Sequence, residues 1–193
     1  MIRALFSAFA LTIFLGVTSC KNETKVDDTK EVAEEQNEAK FEENDSKEDD
    51  SEFLVAAAEN DLMQIEIGKL AMQRSSDKNV KDFATTLVAD HTKSSSETKP
   101  FAQRLNVTVP MSITEKGTER YNELNDKKTA KEFDEKFAEL MVKGHEDAVS
   151  KMEKASENAN DPEIKSWAAG MVPTLKSHLE HAKTLEEQVK NKK

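Results

Sequence analysis

Phe83 to His91 reads FATTLVADH, and Phe137 to His145 reads FAELMVKGH. In each, apolar side chains recur three and four positions apart, at Phe83, Ala84, Leu87 and Val88 and at Phe137, Ala138, Met141 and Val142, and a histidine closes the stripe. That spacing places all of them on one face of an α-helix. The second stripe runs on through Ala148, Val149 and Met152. Strand signals are missing, because β-branched runs are short and no Asn-Gly or Asp-Gly turn separates alternating segments. The chain reads as all-α.

Working outward, the pattern predicts helices at about Ser51–Ser75, about Asp77–Lys99 with Ser76 or Asp77 as cap, about Thr129–Asn158, and from Asp161-Pro162 toward Val189. Pro100 ends or kinks the second, and Pro173 bends the fourth. Residues 105–128 are too long for a tight helix–helix turn and carry an extended Asn106–Pro110 and a short helix at about Thr114–Asn125. The stretch from Asp77 to Val88 aligns with Asp161 to Val172 at an offset of 84 residues, and the same offset carries Phe53 onto Phe137 and Asp61 onto His145. Two related hairpins joined by one long crossover form a four-helix bundle of ferritin-like type.

The elements ENDLMQIEIGKLA, VKDFATTLVADH, FDEKFAELMVKGH and MVPTLKSHLEHA resemble a family of secreted and lipid-anchored bacterial proteins, domain of unknown function 4142. The resemblance spans nearly all of Phe53 to Leu185. It implies a ferritin-like fold and an envelope location, and no established reaction.

The N-terminus reads as a processing signal, residues 1–19: Arg3, an apolar run from Ala4 to Val17, then Val17-Thr18-Ser19-Cys20. Cys20 is the sole cysteine, so no internal disulfide forms, and its setting resembles the lipobox of bacterial lipoproteins. Acylated there, the protein would be held on a membrane, and Lys21 after the cysteine leans toward the outer membrane. Residues 21–52 hold 14 acidic side chains against 5 lysines, net −9 of the chain's −10, and few large apolar groups. That composition predicts a disordered acidic tether over residues 20–52 and a folded domain over 53–193. With no basic patch, nucleic acid is excluded as a partner; an envelope or extracellular protein is the expected one, besides the membrane reached through the lipid.

Three of the four histidines, His91, His145 and His178, fall on inward stripes of three helices. Counted from the helix caps, they lie roughly 21 to 26 Å from one end of the bundle, so a common layer is expected. Asp61 and Gln64 stand at similar height on the first helix. Two readings follow. In one, His91, His145 and His178 bind a transition metal, with an oxygen ligand from Asp61, Asp90 or Glu66. In the other, Gln64 and the three rings satisfy one another as a buried polar layer that loosens below about pH 6. A di-iron centre is excluded, because Val88, Val142 and Leu175 stand where it needs Glu three residues before His. No phosphate loop or nucleophile set is present. The sequence by itself favours a non-enzymatic interaction, structural or stress-related module without a cofactor, with metal binding as the alternative.

Overall fold

The computed structural model describes residues 28–192. The signal, Cys20 and the first part of the expected tether lie outside them. The described residues form six helices and no strand: α1 Thr29–Phe41, α2 Asp45–Arg74, α3 Lys78–Leu105, α4 Glu115–Asn125, α5 Ala130–Asn158 and α6 Pro162–Asn191. α2 pairs with α3 and α5 with α6, and the two hairpins close on each other into a four-helix bundle.

Each long helix begins where a side chain caps it. Asp77 Oδ1 accepts from the Asn79 and Val80 amides, and Asp161 Oδ1 accepts from those of Glu163 and Ile164. The two caps are related by the 84-residue offset and lie above matched buried pairs, Val80 and Ala84 against Ile164 and Ala168. Thr129 and Glu132 exchange bonds in a capping box that starts α5. α2 and α3 approach closely at Gly68, where a methyl group would meet Val88 Cγ2 at 2.7 Å. Pro100 does not end α3, which runs one turn further to a left-handed Asn106, φ 57°. Pro173 likewise lies inside a continuous α6. Met63, Met141 and Met152 are buried, while Met72 is 39% exposed.

The largest departure from expectation is the acidic segment. It is helical from Thr29, and α2 begins at Asp45, not near Ser51. Average composition missed that one thin stripe is enough when other elements supply the burial. Ala33, Asn37 and Phe41, four apart, turn inward while the acidic residues face water. Asn37 bonds the crossover backbone as a strand would, donating from Nδ2 to Thr108 O at 2.8 Å and accepting from Thr108 N at 2.7 Å. Asp50, 4% exposed, accepts the amides of Asn160 and Asp161 at 2.7 and 2.8 Å, which fastens the start of α2 to the α5–α6 turn. Asn37→Ala leaves the Thr108 amide without its acceptor, and an expected loss of about 1–3 kcal/mol in urea unfolding checks this. Faster hydrogen exchange at Thr108 should accompany it.

Candidate metal centre

His91 from α3, His145 from α5 and His178 from α6 meet inside the bundle. Their rings are 2%, 0% and 5% exposed, and ring centroids lie 5.7, 5.8 and 5.3 Å apart. One nitrogen from each ring lies within 4.8 Å of the other two. Phe83 packs beside them, 6.4 Å from the His145 ring and 6.2 Å from the His178 ring.

The second nitrogen of every ring is engaged by an oxygen. His91 Nδ1 bonds Asp61 Oδ1 at 2.8 Å. His145 Nδ1 donates to the Met141 carbonyl at 2.8 Å. His178 Nε2 bonds Asp90 Oδ2 at 2.9 Å. Carbonyl and carboxylate oxygens accept, so the protons sit on these outer nitrogens, and the inner ones, His91 Nε2, His145 Nε2 and His178 Nδ1, carry lone pairs. None of the three inner nitrogens has a hydrogen-bond partner. Gln64, fully buried one turn after Asp61, also leaves both amide atoms unpartnered; its Nε2 packs so close to Gly144, next to His145, that a methyl there would lie 2.9 Å from it.

This geometry corrects the expectation of a self-satisfied layer: Gln64 and the rings share the level and do not bond one another. It also relocates the expected oxygen ligands. Asp61 and Asp90 hold the outer nitrogens of His91 and His178. Glu66 pairs with Lys69 at the surface at 2.8 Å. His181, one turn from His178, is exposed and stacks on Phe83 with centroids 4.3 Å apart.

The offset relating the hairpins places Asp61, His91 and Ser94 against His145, Leu175 and His178. All six are buried, at 2–3% in the first set and 0–5% in the second. The cluster is therefore assembled from two pseudo-equivalent half-layers, each contributing different chemistry. Asp90 is the partner that sequence spacing could not rank, since it begins at the surface with 41% of its side chain exposed.

Burial dominates the titration behaviour. Desolvation, helped by His91 and His178 nearby, lowers His145 to about 3. Desolvation also lowers His178, against the pull of Asp90. The buried Asp61 carboxyl is pushed up by desolvation and drawn back by His91. A ring whose folded pKa is depressed is protonated first in the unfolded chain, so its stability contribution is complete above about pH 6.5 and is lost as pH falls toward 3. For His145 the loss by pH 5 is about 2 kcal/mol, and His178 adds to it. Asp61 opposes this in part, since a carboxyl raised by burial takes up its proton above its ordinary value and so relieves that burial as pH falls. Thermal melts of metal-free protein at pH 7.5 and 5 should therefore show lower stability at pH 5.

Among the described residues no helix is long and apolar enough to cross a membrane. Two solved structures share the fold. CopM in the Cu(II)-bound form is 17% identical with a TM-score of 0.61. CopM in the Cu(I)-bound form is 16% identical with the same score. Each likeness covers 72% of this chain and 96% of that one. No curated protein sequence matches significantly. A family profile does, over residues 33–185, reaching well into the acidic segment. The chain is thus a member of the family described as domain of unknown function DUF4142.

Proposed function

We propose that this protein is a metal-binding helical module of the bacterial envelope, holding one transition-metal ion on His91, His145 and His178, with copper the foremost candidate. The observation that carries the reading is the set of three buried, unpartnered ring nitrogens. Burying a polar atom without a partner costs about 1–3 kcal/mol, and three lone pairs facing one another add repulsion. A cation removes both costs. The outer bonds to Asp61, Met141 and Asp90 are those that orient metal-ligating imidazoles and raise their basicity. Metal–nitrogen bonds of about 2.0 Å put trigonal ligand atoms roughly 3.5 Å apart. The three nitrogens, all within 4.8 Å, need only small movements to reach that spacing.

Neutral imidazoles suit copper, zinc and iron. Copper leads because a protein of the same fold is known in Cu(I)- and Cu(II)-bound forms. The bound ion would supply a buried positive charge that three neutral rings can share. The arrangement of hairpins and crossover supports a ferritin-like topology without the di-iron ligands. The apolar run from Ala4 to Val17 and Cys20 support a lipid anchor, with the outer membrane as its site. A partner-binding role has no comparable observation behind it.

Untagged protein from metal-replete growth, measured by elemental analysis, should carry close to one equivalent. The His91→Ala, His145→Ala double variant should carry none. Trace metal in the parent protein, or full metal in the variant, would refute the proposal.

A further inference from the structure

The three histidines are at most 5% exposed, so an ion can reach them only through the bundle. A cavity of about 180 Å³ lies among α2, α3, α4, α5 and α6, lined by Asp61, which holds His91, and by Gly144, which precedes His145. Its outer lining includes the exposed Lys116, Asp147 and Lys151, so it reaches the surface. Its inner lining includes Asp61, 3% exposed. Asp61 thus has two neighbourhoods: Oδ1 holds His91, and Oδ2 is buried without a hydrogen-bond partner.

Most of the remaining lining is apolar, with Glu52, Glu59 and Arg120 among it, and it includes three thioethers, those of Met152, Met171 and Met63, the last approached by Arg120 Nη1 at 3.5 Å. Thioether sulfur is a soft, uncharged donor that selects monovalent copper over zinc or magnesium. An apolar passage is hostile to a hydrated dication, whose solvation cost scales with the square of its charge, and far less so to a monocation carried on sulfur. Asp90, bonded to His178 with 41% of its side chain exposed, marks the alternative approach from the surface, through a hard carboxylate.

Resting on the metal-binding reading above, we infer that this cavity is the loading route of the histidine cluster: a soft monovalent ion, copper(I), passes along Met63, Met152 and Met171 and past Asp61 to the inner ring nitrogens. Residues on a route, as opposed to ligands at its end, change the rates of loading and release together and leave the equilibrium constant alone.

The test uses the full chain, untagged and metal-free, with silver(I) as a redox-silent probe for copper(I) and zinc(II) as comparator. Uptake and release are followed by stopped-flow competition with a chromophoric chelator. The Met63→Leu, Met152→Leu, Met171→Leu triple variant keeps the cavity's volume and removes its sulfur. Silver(I) uptake and release should both slow by about tenfold with an unchanged dissociation constant, while zinc(II) kinetics stay as they were. If the triple variant fails to fold, Met171→Leu alone, at a partly exposed position, should show about threefold slowing by the same chemistry. Unchanged silver(I) rates, a changed dissociation constant, or slowing only in Asp90→Asn would overturn the route while leaving the metal site standing. A parent protein that takes up neither ion would overturn the site itself.

Discussion

His145→Leu should lose the metal and, in metal-free form, unfold at a higher temperature than the parent protein. His145 is fully buried, and its Nε2 faces two other lone pairs without a partner. Leucine fills similar space and removes that unsatisfied atom. The bond it gives up, Nδ1 to the Met141 carbonyl, is local to α5. The expected gain is about 1–2 kcal/mol in the metal-free protein, read as an upward shift of the thermal midpoint. Metal affinity should fall by roughly 100-fold or more, since even partners of ligands contribute 10–100-fold. A site kept for binding and built at the expense of stability predicts these opposite signs. A purely structural histidine predicts that stability falls.

The second large effect is expected at Phe83. Its side chain is fully buried, sits edge-on to Phe137 with centroids 6.3 Å apart, and touches the faces or edges of His145, His178 and His181. Phe83→Ala should cost about 3–5 kcal/mol in urea unfolding. For a domain of this size that is a fall of roughly 10 °C in thermal midpoint. Because the vacated space adjoins two of the three rings, water gains access to the inner nitrogens and metal affinity should drop as well. Phe83→Leu, which keeps most of the volume, should show a smaller loss of both. A variant that lost stability with unaltered metal binding would show that Phe83 serves the core alone.

Much of this was legible in the sequence because it rests on local rules. The caps Asp77, Thr129 and Asp161-Pro162 mark helix starts wherever they occur, and a period of three and four fixes the faces. Counting along straight helices was enough to bring His91, His145 and His178 to one level. What could not be read is non-local. Which nitrogen of each ring points inward depends on Asp61, Met141 and Asp90, and of these Asp90 looks like any surface carboxylate until α6 is placed beside it. The helical nature of residues 29–52 failed for the same reason. Asn37 counts as polar in any compositional average, yet its amide substitutes for a strand partner of Thr108, 71 residues away.

The fastening at Asp50 has a consequence for where this molecule can be cut. A fragment starting at Phe53, the boundary composition suggests, would remove the carboxylate that receives the Asn160 and Asp161 amides, together with all of α1. The hairpin of α5 and α6 would lose its clasp, and the crossover would lose its cover. The smallest self-sufficient unit therefore begins no later than Asp28, and protease should spare residues 29–52, which their charge would mark as the first place to nick.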